Sequence, residues 1–147
     1  MAAVALTAAY DAGRKDGVTS TAPVTAAKTV FQGGMLVWDG AGGVEPLVGG
    51  SAAQPASFAG VARSGAIGGG DSTSPNQLAY VGLVRIERRG VFYFNTADAA
   101  PVLGEVVFGI TDNYVSSVAG ATSIKVGTVV DIPGDGTLGV QIDLAVV

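Results

Sequence analysis

From Lys28 onward, short runs of β-branched and aliphatic residues alternate with glycine-rich breaks at intervals of roughly 8–12 residues. The runs fall at 29–31, 35–39, 44–48, 57–63, 78–89, 91–95, 105–110, 114–118, 123–132 and 137–146, and each reads as a strand. Asp39-Gly40, Asp112-Asn113 and Pro133-Gly134-Asp135-Gly136 separate them. Each is a turn signal with a mechanism: Asp and Asn bond backbone two residues on, Gly supplies positive φ and Pro presets its own. After residue 28 no stretch keeps a 3.6-residue apolar period over about ten positions. The pattern predicts an all-β fold, a compact β-barrel or β-sandwich.

Side-chain alternation along a strand assigns faces. In 91–95 it turns Phe92 and Phe94 toward a core and Tyr93 away from it. In 78–89 it puts Arg85, Glu87 and Arg89 on one face and Ile86 and Arg88 on the other. That triplet reads as a solvated face with an ion pair or, since arginines concentrate at interfaces, as a docking patch. Trp38, the single tryptophan, is expected to be buried with Phe31 and Phe58, as a core or subunit-interface anchor. The chain also echoes itself. Gly34-Met35-Leu36-Val37-Trp38, then Val44, then Phe58-Ala59-Gly60-Val61-Ala62 resembles Gly104-Glu105-Val106-Val107-Phe108, then Val115, then Val126-Gly127-Thr128-Val129-Val130. This fits a duplicated β-unit, and in a chain so rich in Gly and Val it also fits coincidence.

Residues 1–27 break the pattern, being Ala-, Thr- and Gly-rich with few large apolar side chains. Ala favours helix over 2–12, but Gly13, Gly17 and Pro23 stop anything longer. The segment reads as an N-terminal arm, loosely ordered when alone, ahead of a single β-domain at 28–147. It does not read as a secretory signal, because Arg14 and Lys15 follow its apolar run instead of preceding it. No run approaches the roughly 20 apolar residues of a membrane span. Synthesis in the cytoplasm without export by this route, and no membrane partner, are the expectations. The loop 65–77 has the composition of a flexible surface excursion.

Composition narrows the chemistry. The 147 residues contain no His and no Cys, which removes imidazole bases, thiol nucleophiles, disulfides and zinc-thiolate sites. Only 14% are charged, against about 25% in a typical soluble domain, and 23 are glycine. The net charge of −4 and the scattered basic residues argue against a nucleic-acid partner. Gly70-Asp71-Ser72 mimics an esterase block without a base, and Thr25-Ala26-Ala27-Lys28 mimics a nucleophile–lysine spacing without its companion motifs. Arg89-Gly90-Val91-Phe92-Tyr93-Phe94 echoes an RNA-binding signature but has Val91 where an aromatic belongs. Asp71, Asp112 and Asp135 lack calcium-loop spacing and read as turn caps. Neither an enzyme nor a cofactor or metal is expected. Trp38, Tyr80, Tyr93 and Tyr114 are the aromatics that a carbohydrate-binding β-sandwich would use.

The framework residues carry a resemblance. Phe58-Ala59-Gly60-Val61-Ala62, a polar loop, Gly90-Val91-Phe92 and the Ala-rich turn 97–101 are followed by Leu103-Gly104-Glu105-Val106-Val107-Phe108, Asp112 and Val115-Ser116. Then come Ile124-Lys125-Val126-Gly127-Thr128-Val129-Val130 and Gly139-Val140-Gln141-Ile142-Asp143-Leu144. Over residues 58–147, and more loosely from Lys28, the chain resembles the capsid cement, or decoration, proteins of tailed bacteriophages; it departs from them in a longer loop at 68–77. The resemblance implies a structural protein on the outside of the virion head that binds the phage major capsid protein and bridges its subunits. It also implies self-association, as a homotrimer or alternatively a dimer, and an arm ordered on docking. Another head or tail-fibre β-domain is the nearest alternative. On this reading the residues expected to meet the capsid are Ala2, Val4, Leu6, Tyr10, Arg14 and Lys15 of the arm, with Arg85, Glu87 and Arg89. Those expected to mediate self-association are Trp38, Glu105, Val107 and Tyr114, through the edges of the hairpin 105–118.

Overall fold

A computed structural model of the chain describes residues 19–48, 57–68, 82–119 and 124–144, among which every regular element is a strand. In chain order they are β1 (Thr19–Pro23), β2 (Thr29–Val30), β3 (Met35–Trp38), β4 (Val44–Pro46), β5 (Phe58–Ala62) and β6 (Ala66–Ile67). There follow β7 (Leu83–Glu87), β8 (Arg89–Thr96), β9 (Val106–Thr111), β10 (Tyr114–Ser116), β11 (Ile124–Asp131) and β12 (Thr137–Asp143). The fold is all-β and compact. One five-stranded sheet has the order β1-β7-β5-β3-β4; β9-β10-β8-β12-β11 form a closed barrel; β2 and β6 make a two-stranded ribbon.

The two five-stranded assemblies share one topology. In the first unit β3 pairs antiparallel with β4 on one side and β5 on the other; in the second, β9 does the same with β10 and β11. The third strand then pairs with the fourth (β5 with β7, β11 with β12), and the fourth with the strand that opens the unit (β7 with β1, β12 with β8). Even the irregularities coincide. Leu36 faces Gly60 and Val107 faces Gly127, and in both units the register slips at the very next residue of the first strand. The second unit closes through parallel pairing of Val115 with Thr96, and the first through a single parallel bridge between the equivalent Val44 and Val24. The echo in the sequence is therefore a structural repeat, displaced by one residue in its first strand: Gly34 aligns with Glu105, not with Gly104.

Gly60 and Gly127 occupy the same place for the same reason. A Cβ on Gly60 would run into the backbone oxygen of Glu87 on the neighbouring strand, and one on Gly127 into that of Gln141. Each glycine lets the fourth strand approach closely. At Gly60, φ of +135° adds a conformation that side-chain-bearing residues avoid.

Two apolar clusters fill the units. The first holds Ala22, Val24, Leu36, Val44, Ala59, Ala62, Val84 and Ile86, with Trp38 packed against it. The second holds Phe94, Val107, Val115, Val126, Val129, Leu138, Val140 and Ile142 from inside the barrel, with Met35, Val37, Leu47, Phe58 and Val61 contributed by the first unit. So β3 is buried on both sides: Leu36 points into its own unit, while Met35 and Val37 cap the other. Leu47 lies where a side chain on Gly109 would otherwise stand. Met35 N–H donates to Asp112 O at 2.8 Å, and an antiparallel bridge between Val48 and Thr111 joins the units beside it.

Several expectations are corrected here. Residues 19–23 belong to the sheet and not to an arm, since β1 is in register with β7 along its whole length and Ala22 is buried. Residues 1–18 of that segment, with Ala2, Val4, Leu6, Tyr10, Arg14 and Lys15, lie outside the described residues, as do 69–77 of the long loop and Tyr80. The run 78–89 is not one strand: it breaks at Arg88, after which the chain leaves the first unit and starts the barrel. Phe31 is 58% exposed, and Trp38 and Phe58 belong to different clusters, so the three aromatics do not form one core. Val107 is fully buried inside the barrel and cannot meet a second copy. Nor does the β9–β10 hairpin have free edges, because β9 is paired with β11 and β10 with β8.

Candidate docking surface at the junction of the units

Where β5 and β7 of the first unit meet β8 of the second, the turn between β2 and β3 stands proud of the surface. Gly34 N–H donates to Phe31 O at 3.1 Å, and Gly33, with φ of +89°, donates to Ala62 O at 2.8 Å. The tight turn pushes Phe31 into solvent. On one side of it is a groove of about 420 Å³ lined by Val61, Arg63, Glu87, Arg89, Val91 and Phe92; on the other is one of about 390 Å³ lined by Phe31, Tyr93, Asp112 and Asn113. Gln32 and Gly33 line both, so the two are continuous across the turn.

The polar groups of the groove are held in place. Arg63 Nη1 donates to Glu87 Oε2 at 2.9 Å; the Glu87 side chain is 11% exposed, that of Arg63 53%. The carboxylate is thus largely withdrawn from water while its cation stays at the rim. Arg89 Nε donates to Asp143 Oδ1 at 2.9 Å, with both side chains well exposed. Tyr93 crosses the flat patch left by Gly139 and its hydroxyl donates to Asp131 Oδ2 at 2.7 Å. That hydrogen bond, with the carboxylate charge behind it, holds the phenol above its ordinary pKa, so the ring stays neutral and fixed in direction. Val91 and Tyr93 are about half exposed along the outer face of β8. The arrangement offers aromatic and aliphatic surface framed by two ion pairs, which suits contact with another protein.

Of the residues singled out from the sequence, Glu87 and Arg89 line the groove, whereas Arg85 does not; the expected triplet face does not exist as one surface. The break at Arg88 turns Arg89 onto the barrel, while Arg85 stays half-buried in the first unit, its N–H donating to Ser64 Oγ at 3.2 Å. Glu87 is largely buried, not solvated, because its partner Arg63 comes from the end of β5. Trp38 is partly buried and packs against the first unit's core. Glu105 accepts a hydrogen bond from Val102 N–H at 2.9 Å and caps the turn before β9. Tyr114 is 44% exposed on β10 and remains available for contact. Sequence reasoning missed Phe31, assigned to the core, and Arg63, whose only signal was a lone cation after an apolar strand.

The start of β1 belongs to the same place. Thr19 stands opposite Glu87 in the β1–β7 register, so the start of β1 lies beside the groove. Among the described residues no cluster of acidic side chains is arranged to hold a metal ion. No family model, curated protein or solved structure matches the chain.

Proposed function

We propose that this chain is a capsid decoration protein of a tailed bacteriophage, made in the host cytoplasm and bound to the outer surface of the virion head. There it bridges neighbouring copies of the major capsid protein and associates with itself, as a homotrimer or alternatively a dimer. Its work is binding, with no catalysis, cofactor, nucleic acid or membrane involved. The resemblance of residues 58–147 to cement proteins supports the reading. The observation that carries it is the junction groove: exposed Phe31, Val91 and Tyr93, framed by Arg63 and Arg89, lie beside Thr19 at the start of β1. A rigid body and an adjoining segment can then grip one surface together.

The energetics suit such a role. A protein that binds the assembled shell and not its separated subunits stabilises the shell by mass action. Many copies on one lattice, each touching more than one subunit, add avidity to that effect. The direct test mixes the purified chain with heads that lack it and sediments them. Pelleting in a fixed ratio to capsid protein is expected. Deletion of residues 1–18, which spares β1, should weaken binding, and Arg89→Glu should weaken it in a salt-dependent way. A chain that stays in the supernatant when heads are in excess overturns the proposal.

A further inference from the structure

The junction groove follows an unpaired strand edge. Thr96 N–H donates to Gly136 O at 2.9 Å and Leu144 N–H donates to Arg88 O at 3.0 Å, which fixes the phase of the β8–β12 ladder at both ends. Hydrogen-bonded and non-bonded pairs alternate along an antiparallel ladder. Gly90, Phe92 and Phe94 therefore turn their backbone groups toward β12, while Arg89, Val91 and Tyr93 turn theirs the opposite way. Asn95 belongs to the second set, and its N–H donates to Asn113 O at 3.0 Å just before β10 begins. β10 pairs with β8 only at Asn95 and Thr96. Among the described residues no other backbone pairs with that side, so the N–H and C=O of Val91 and Tyr93 stand open. Val91 lines the first part of the groove and Tyr93 the second. The edge is also unobstructed. The side chains of Arg89 and Tyr93 lean toward β12 and β11, where they hold Asp143 and Asp131. No proline or bulge, the common guards of an exposed edge, interrupts β8 from Gly90 to Tyr93. The first unit has such a guard: Pro23 stands where Asn95 stands in β8, and it has no N–H to offer.

We infer that the groove takes an extended segment of the capsid partner, which adds to β8 as a strand. This rests on the docking role proposed above and names what fills the groove. Polypeptide in the β conformation is the chemistry that matches the edge. It presents N–H and C=O groups along one side at a repeat of about 6.8 Å, the same repeat that separates Val91 from Tyr93. A strand added there lies in line with β10 and completes the row that β10 fills only beside Asn95 and Thr96. Val91 and Tyr93, about half exposed, then pack beside the outward side chains of the added strand. That selects β-branched or aromatic residues at alternating positions of the segment. Phe31 supplies further apolar surface from the groove wall.

The test is amide hydrogen exchange at single residues of the full chain, alone and bound to heads that lack it. Alone, Val91 and Tyr93 should exchange at least about tenfold faster than Phe92 and Phe94, whose N–H groups are bonded to β12. On heads, Val91 and Tyr93 should slow by at least about tenfold. Val91→Pro removes one open N–H and leaves the β8–β12 hydrogen bonds in place, so it should weaken head binding at least about tenfold. Thr21→Pro is the control. It sits at the β1 position that matches Tyr93, its N–H also faces away from its ladder, and it should bind heads as the wild type does. Val91 and Tyr93 amides that are already slow in the free chain overturn the inference. Slow at every concentration, the edge is held by the chain itself; slow only at high concentration, by a second copy. Heads that bind the chain while both amides stay fast overturn the added strand and leave the docking role standing. So does a folded Val91→Pro chain that binds like the wild type, or a Thr21→Pro chain that loses as much. Heads that bind no chain overturn the docking role and the inference together. If Val91→Pro does not fold, exchange in the wild type decides alone.

Discussion

The first unit places Ala22, Ala59 and Ala62 at the positions where the second places Phe94, Val126 and Val129, and the trade reverses at Trp38 against Gly109. The first unit is a five-stranded sheet whose cluster mixes alanines and valines with Leu36 and Ile86, and Trp38 packs against it. The second is a closed barrel, and Leu47 from its neighbour occupies the space over Gly109. What the two units share is not the size of any interior residue but hydrogen-bond register, bulge position and one glycine. Strand pairing thus sets the topology, while interior volumes are exchanged so long as each interior fills. They differ in closure as well: a parallel ladder in the second unit, a single bridge in the first.

The largest test of this contrast is Phe94→Ala. Its side chain is 1% exposed and has no large counterpart in the first unit, so removal should cost about 3–5 kcal/mol. Denaturant unfolding should remain a single transition, because the first unit's outer face needs the barrel it caps. Two separate transitions would show that the units are energetically independent. Next come the paired glycines. Gly127→Ala should cost about 1–3 kcal/mol through collision with the β12 backbone. Gly60→Ala should lose about 1–3 kcal/mol more, since it meets the same collision and an unfavourable φ. Equal losses would mean that the φ difference has no energetic weight.

Much of this comparison was legible in the chain. The breaks at Asp39-Gly40 and Pro133-Gly134-Asp135-Gly136 end strands where expected, because local turn chemistry is written in adjacent residues. Phe94 inward and Tyr93 outward follow from simple alternation. Strand membership was less legible. Nothing local distinguishes the end of β7 from the start of β8, since only long-range pairing sends Glu87 to one sheet and Arg89 to the other. The five residues of β1 include no large apolar side chain, so a strand that contributes only Ala22 to the first unit's cluster looked like an arm. The candidate surface was the hardest part. Glu87 is withdrawn from water by an arginine 24 residues away, and Phe31 is expelled by a turn whose partner, Ala62, is equally remote.

Smaller effects sharpen the contrast further. Ser20 occupies the interior position that Phe92 holds in the second unit, and its buried hydroxyl has no hydrogen-bond partner among the described residues. Ser20→Ala should stabilise the chain by about 1 kcal/mol, read as a raised denaturation midpoint. A destabilised variant would mean that the hydroxyl has a partner. The smallest expected effect is acidic. Asp39, in the β3–β4 turn, is held below its ordinary pKa first by the Thr25 hydroxyl and then by Ala41 N–H; Asp135, before β12, is held down by the Thr137 hydroxyl and N–H. A depressed folded-state pKa gives stability that is complete above the unfolded value, near pH 4, and fades as pH falls through the lower folded value. Each unit should therefore lose a small increment of thermal midpoint below about pH 4. Asp39→Ala and Asp135→Ala should each flatten that acid limb, and an unchanged limb in either variant would assign it to other carboxylates.

The capping contact also has a consequence for biosynthesis. Synthesis runs from the N-terminus, so the last strand of the first unit, ending at Glu87, is made well before the barrel's last strand, ending at Asp143. Those 56 residues (143 − 87) take roughly 3–11 seconds at about 5–20 residues per second. Throughout that interval Met35, Val37, Leu47, Phe58 and Val61 have no barrel to cover, and remain wet on a nearly finished unit. Ribosome-bound chains halted in that window are the species most exposed to chaperones and to one another.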